Sequence, residues 1–242
     1  MTRTMGPIET FQQDFEKRQA GLDRPYVTLS YAQSLDGSIA NQEGRATQIS
    51  GPEAFQMTHQ LRAVHDAVLV GIGTVLVDDP RLTVRKVEGS SPQAVVLDSR
   101  LRCPPQAALM GNPKKPWIIT AQPADAARKK ALEDLGARVS SLPPDAGGLL
   151  SLEGVLSRLG ESGVRRVMVE GGGRVIASFL SQRLVDLVIL TVAPVFLGGV
   201  KAIDAPLLGG KDAAHELIEF PHLEEVNSTW LGGDLVLWGK LA

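Results

Sequence analysis

The stretch RRVMVEGGGRVIASFL, residues 165–180, decides the fold. Val167 to Val169 is a short, wholly apolar run of the kind found in a strand buried on both faces. Three glycines, Gly171 to Gly173, follow at once, and the pattern VIASFL then reads as a helix. A strand, a glycine turn and a helix start can cradle an anion, because glycines let the backbone approach closely and the helix N-terminus presents N–H groups and a positive dipole end. By itself the same pattern is also a tight turn that binds nothing. Glu170, a carboxylate at the C-terminal end of a buried strand, favours the first reading, since open α/β sheets bind ligands at that edge.

Outward from this unit the alternation repeats. Tyr26–Tyr31, Ala67–Val70, Ala94–Leu97, Trp117–Thr120 and Leu187–Val192 are β-branched, aromatic or wholly apolar runs that predict strands. Between them Glu9–Gln19, with Phe11 and Phe15 four apart, predicts a helix. Three more helices are expected: from Pro52 to about His65, over Ala124–Leu135 closed by Gly136, and over Leu152–Leu159 closed by Gly160. Leu223–Trp230, Gly232-Gly233 and Leu235–Trp238 read as a hairpin. The expected class is α/β, a mixed and mostly parallel central sheet flanked by helices, with a C-terminal antiparallel hairpin. Residues 1–24 are expected as an N-terminal helical extension and 25–242 as a single domain.

The 242 residues are 43% hydrophobic and 21% charged, which excludes collagen-like, disordered and disulfide-scaffold classes. A net charge of −2 gives no electrostatic reason to expect nucleic acid. One cysteine, Cys103, builds neither a disulfide framework nor a cysteine-rich zinc site. The N-terminus has no apolar signal region, and the run Ala67–Val77 is too short to span a bilayer, so a cytoplasmic protein is expected. His59, His65, His215 and His222 are scattered, and His215-Glu216 lacks the Pro-Cys-x-x-Cys partner of a zinc deaminase, so no metal is expected.

Three further segments carry candidate chemistry. Gly71–Arg85 follows a buried strand and offers Thr74, the adjacent Asp78 and Asp79, and Arg85, whose guanidinium suits an anion but is also an ordinary surface charge. Ser34-Leu35-Asp36-Gly37 ends the first strand, with Asp36 either a general acid or a turn residue. Asp98-Ser99-Arg100-Leu101-Arg102 follows another strand, where a dinucleotide fold places its 2′-phosphate contacts, or else is a solvated basic loop.

SLDG at 34–37, LRAVHDAVLVGIGTVLVDDPRLTVR at 61–85, VMVEGGGRVIASFL at 167–180 and APVFLGG at 193–199 occur in an order and spacing that resembles the reductase of riboflavin biosynthesis. That family is the C-terminal half of a bifunctional bacterial deaminase/reductase and a stand-alone enzyme in archaea and fungi. The resemblance implies a dihydrofolate-reductase-like fold, a homodimer, a separate deaminase in the same pathway, and NADPH-dependent reduction of a 5-amino-6-(5-phosphoribosylamino)pyrimidine, in its uracil or 2,5-diamino form, to the ribitylamino compound. It implies cofactor contacts at Thr74, Asp78 and Ser99, and the basic loop read above adds Arg100 as a candidate. It further places the cofactor's phosphate cradle at Gly172 through Ser178, including Gly173, Arg174, Val175 and Ile176, and the glycine turn read above adds Gly171. Substrate contacts are implied at Arg62, Leu82, Arg85 and Glu170; Ser34 joins them as a candidate from the turn after the first strand, and Glu170 and Asp36 are the catalytic candidates. The sequence departs from many bacterial members at Arg45–Ser50, where Ala46 and Gln48 stand for a Ser and a Trp. Two rivals are a reductase of the same fold acting on a pterin or other small molecule, and a nucleotide-binding regulatory module without turnover.

Overall fold

A computed structural model describes residues 5–42, 47–145, 147–203 and 221–242. In chain order the described elements begin with α1 (Pro7–Arg18), β1 (Tyr26–Ser34), β2 (Ser38–Ala40), α2 (Pro52–Val64), β3 (Ala67–Gly71) and α3 (Ile72–Asp78). There follow β4 (Gln93–Leu97), β5 (Trp117–Ala121), α4 (Ala126–Asp134), β6 (Arg138–Leu142), α5 (Leu152–Glu161), β7 (Arg166–Gly171) and α6 (Gly173–Ser181). The chain closes with β8 (Leu187–Ala193), β9 (Val200–Lys201), β10 (Leu223–Leu231) and β11 (Asp234–Leu241). As far as these residues are described, one compact unit comprises Met1–Leu22, Tyr26–Thr58 and Val169–Ala242, and a second comprises Asp23–Pro25 and His59–Met168. Residues 25–242, expected as one domain, therefore divide between the two units.

In the first unit the strands run in the order β10-β11-β8-β1. β1 and β8 are parallel, from Thr28 opposite Leu187 to Ser34 opposite Ala193. β11 lies antiparallel on β8, and the β10–β11 hairpin turns at Gly232-Gly233, so the expected antiparallel end of the sheet is present. The helix expected as an extension is built into this unit. Phe11 is buried and meets the Tyr26 ring edge-on at 5.7 Å between centroids. The Tyr26 hydroxyl donates to Asp14 at 2.6 Å, and Trp238 Nε1 donates to Thr10 Oγ1 at 3.0 Å.

The second unit holds the parallel run β3-β4-β5-β6. Every residue of β3 and β5 is buried, as expected of strands covered on both faces. β6 has no apolar run in its sequence, RVSSL, and nothing in its periodicity announces a strand. It is held by pairing with β5 and by Trp117, whose Nε1 donates to Ser140 at 3.0 Å and whose ring lies 3.6 Å from the Arg138 guanidinium. α5 runs through Gly160 to Glu161, correcting the expected stop. Gly163, at φ +85°, takes the left-handed position, and the Val164 N–H returns to the Leu159 carbonyl. Among the described residues no helix is long and apolar enough to cross a membrane.

His65 is wholly enclosed at the end of α2. Its Nδ1 lies 2.7 Å from the Leu61 carbonyl, which can only accept, so that nitrogen carries the hydrogen. Burial pulls its pKa from 6.5 to about 4. Above pH 6.5 the side chain is neutral folded and unfolded. Between 6.5 and about 4 the unfolded chain takes up a proton that the folded chain refuses, so stability falls as pH falls. The full loss is about 3 kcal/mol. We expect His65→Asn, which keeps a donor for Leu61, to remove about that much of the difference in unfolding free energy between pH 7 and pH 4, measured by urea titration at both pH values.

Candidate functional site

In the first unit β7 delivers Glu170, half-buried, and then turns sharply. Gly171 has φ +112° and Gly172 has φ +89° with ψ 126°, conformations in which a side chain is strained. α6 starts at Gly173, and a glycine at its cap brings no side chain to occupy the first-turn N–H groups. The N–H groups of Val175 and Ile176 donate to the Gly172 carbonyl at 2.9 and 3.1 Å. Ile176, expected in the phosphate cradle, is 1% exposed, so its side chain supports the turn from the core. Arg174 is exposed and Val175 half-buried. A Cβ at Gly173 would stand 3.2 Å from the Lys201 carbonyl and 3.3 Å from that of Ala202, so β9 lies against the start of the helix.

The turn after β1 is a knot of hydrogen bonds around Asp36. Its carboxylate accepts from the hydroxyls of Ser34 (2.6 Å) and Ser38 (2.7 Å), the N–H groups of Leu197 (2.9 Å) and Gly198 (3.0 Å), and Lys201 Nζ (2.8 Å). The Lys201 ammonium, then the two hydroxyls and the Leu197 N–H, hold the carboxyl far below the ordinary range. Of the two readings of Asp36, this geometry favours the turn residue, because its carboxylate oxygens are already engaged by five donors. Ser34, expected against substrate, is fully buried and also accepts from the Ser38 N–H at 3.0 Å, so its hydroxyl is spent inside the knot.

The second unit collects the cations. Arg62, on α2 and 6% exposed, donates from Nη1 to the Thr83 carbonyl at 3.1 Å. Arg85, exposed, donates from Nη1 to the Thr83 hydroxyl at 2.8 Å, and its backbone N–H donates to His59 Nδ1 at 3.1 Å. Two guanidiniums thus meet at one threonine. Thr83 and His59 were not expected; the available signal was His59 standing one helical turn before Arg62. Leu82, expected against substrate, is 2% exposed with φ +55°, so its side chain belongs to the core. Thr74 is half-buried and Asp78 exposed on α3, while Asp79 closes that helix at φ +41° and accepts from the Ala108 N–H at 2.7 Å.

After β4, Asp98 is buried and accepts from the Cys103 N–H at 2.8 Å. Burial pushes its carboxyl up, against the pull of the backbone N–H groups of Cys103, Arg102 and Arg100. Arg102 Nε stands 3.8 Å from it, while Ser99 is half-buried and Arg100 exposed. Beside this loop a groove of about 410 Å³ runs between Arg102–Gln106 and α4. Cys103 lines it, yet burial pushes its thiol up to about 12. Gln48 is exposed; Ala46, His215 and Glu216 lie outside the described residues.

A family model described as the RibD C-terminal domain matches residues 25–237. The 2,5-diamino-6-ribosylamino-4(3H)-pyrimidinone 5′-phosphate reductase of Methanothermobacter thermautotrophicus is 37% identical over 217 residues, covering 88% of this chain and 97% of its own. The riboflavin biosynthesis protein RibD of Bacillus amyloliquefaciens is 36% identical, and the match covers 88% of this chain but 56% of that protein. Among solved structures, Acinetobacter baumannii RibD aligns with a TM-score of 0.77 at 27% identity, over 96% of this chain and 62% of its own. The Saccharomyces cerevisiae riboflavin biosynthesis reductase aligns with a TM-score of 0.71 at 26% identity, over 97% and 100%.

The two arginines differ in what they hold up. Arg62→Ala removes a buried cation and leaves the Thr83 carbonyl without that donor, for an expected loss of about 2 kcal/mol. Arg85→Ala, at an exposed position, is expected to stay within about 0.5 kcal/mol of the parent. Equilibrium unfolding of both variants in urea checks the contrast.

Proposed function

The chain belongs to the RibD C-terminal domain family, and from that membership we propose that it is an NADPH-dependent reductase of riboflavin biosynthesis. The substrate we assign is 2,5-diamino-6-ribosylamino-4(3H)-pyrimidinone 5′-phosphate, reduced to its ribitylamino product. The 2,5-diamino form is favoured over the uracil form because a relative bearing that name matches over 97% of its own length. The observation in the structure that carries the reading is the backbone of Gly171 and Gly172, both at positive φ and opening directly onto α6. N–H groups at such a helix start suit a dinucleotide pyrophosphate. Cytoplasmic location and a homodimer are part of the proposal.

The nicotinamide, when bound, supplies a hydride to C1′ of the ring-opened ribosylamine. This chain's residues bind and orient. Gly172, Gly173 and Arg174 would hold the pyrophosphate, and Glu170 would hold sugar hydroxyls. Thr74 and Asp78 would contact the cofactor, Ser99 and Arg100 would take its 2′-phosphate, and Arg62 and Arg85 would take the substrate phosphate. Arg62 is the fixed partner and Arg85 the adjustable one, because only the latter is exposed. A planar guanidinium matches phosphate oxygens and stays charged.

The direct test is NADPH or NADH oxidation by the purified protein with each pyrimidine phosphate. Turnover with the diamino form and NADPH is expected; turnover with the uracil form alone overturns the substrate assignment, and none with either overturns the function. Arg100→Ala should raise the KM for NADPH about tenfold and leave that for NADH within about twofold.

Two variants separate anchoring from chemistry. Arg85→Ala should raise the KM for the phosphorylated substrate with kcat little changed, and its effect should shrink on a dephosphorylated analogue. Glu170→Gln should lower kcat by about a hundredfold, because it weakens a contact where charge changes during hydride transfer. Steady-state kinetics of both variants on both substrates decides each role.

A further inference from the structure

We propose that Asp36 is a positioning residue which, through Lys201 and the β2–β9 ribbon, sets the start of α6 and thereby the affinity of the first unit for a dinucleotide pyrophosphate. The proposal deepens the reductase reading and rests on it.

The connection is continuous within one unit. Lys201 Nζ spends its donors on the Asp36 carbonyl (2.6 Å), the Asp36 carboxylate (2.8 Å) and the Ser38 hydroxyl (3.1 Å). The backbone repeats the tie: Ser38 pairs with Lys201 and Ala40 with Val200, and the Ala202 N–H donates to the Gly37 carbonyl at 2.9 Å. The approach of β9 to β2 leaves no room for slack, since a Cβ at Gly199 would collide with the Ala40 carbonyl. On its other side the ribbon meets α6, where the carbonyls of Lys201 and Ala202 and the Ile39 side chain surround the place a Gly173 Cβ would take. Asp36 therefore reaches the helix start through rigid backbone.

An ordinary turn residue would not need five donors. Asp36 gathers two hydroxyls, two backbone N–H groups and an ammonium from both sides of the ribbon. Neutralising it removes the charge that holds Lys201 and loosens Leu197–Lys201 as a whole. The carbonyls at 201 and 202 then no longer fix Gly173, and N–H groups that must point at one anion lose their common aim.

The test uses Asp36→Asn, Lys201→Met, Lys201→Arg and Gly173→Ala in the full chain. Two readings are taken: NADPH dissociation constants by fluorescence titration, and amide hydrogen exchange at residues 173–176 without cofactor. Asp36→Asn and Lys201→Met should weaken NADPH about tenfold and speed exchange at those amides, while Lys201→Arg stays near the parent. Gly173→Ala should weaken NADPH too, and its combination with Asp36→Asn should cost less than the product of the two, because both act on one contact. The loss should fall on cofactor affinity and leave kcat at saturating NADPH nearly intact. If Asp36→Asn does not fold, Lys201→Met carries the same comparison. Unchanged NADPH affinity in folded variants overturns the proposal. So does a lower kcat with a shifted pH profile, which would put Asp36 on the reacting atoms. A parent protein that binds no NADPH overturns the reductase reading itself, and is recognised before any substitution is made.

Discussion

Val27 and Asp186 hold each other at two points: the Val27 N–H donates to the Asp186 carboxylate at 2.8 Å, and the Asp186 N–H donates to the Val27 carbonyl at 2.9 Å. This pair stands where β1 and β8 enter the sheet and fixes their register. Because side chains alternate along a strand, a slip by one residue would turn every one to the opposite face. The register puts Ser34 opposite Ala193 at the far end, and only from there do the turn at Asp36 and the loop at Leu197 meet. Arg18 completes the entry, 3.1 Å from the same Asp186. Carboxylates thus secure both ends of one strand pair, and the loops that follow inherit their placement.

The second unit solves a related problem with carboxylates at strand ends. Asp66 precedes β3 and accepts from the backbone N–H groups of Arg165 (3.0 Å) and Arg166 (2.9 Å), as well as from the Arg166 guanidinium. Asp98 follows β4 and organises the next turn in the same way. Strands buried on both faces have no surface to offer a ligand, so the candidate residues gather where strands end: Asp36 after β1, Thr74 after β3, Ser99 after β4, and Glu170 at the close of β7. The chemistry in the sequence is crowded into short polar stretches because the apolar stretches between them are fully committed.

That division explains what could be read in the sequence. Ala67–Val70 and Trp117–Thr120 announce strands because burial on both faces demands apolar character nearly throughout, and Leu187–Val192 follows with one threonine. β6 does not, since Ser140 and Ser141 hide a strand that pairing with β5 and the Trp117 bond sustain. Gly160 misleads because a glycine near a helix end has the same letter inside the last turn as beyond it; only the backbone at Gly163 tells them apart. For the site, the glycine turn was legible as a strand-to-helix turn from residue type and position. The hydrogen-bond knot at Asp36 and Ser34 and the burial of Leu82 and Ile176 were not, because motif position says nothing about which atoms of a residue are already engaged. Thr83 was invisible for a related reason, since its part comes from two side chains that fold back onto it.

Cys103 has a practical consequence of its own. It is the single cysteine of the chain, 4% exposed, and its thiol is pushed up to about 12, so almost none is thiolate at neutral pH. Maleimides and disulfide reagents attack the thiolate. Burial and the raised pKa together predict that the folded protein reacts slowly with them, so a cysteine introduced at an exposed position is expected to serve as the attachment point for a dye or spin label with the native one left in place.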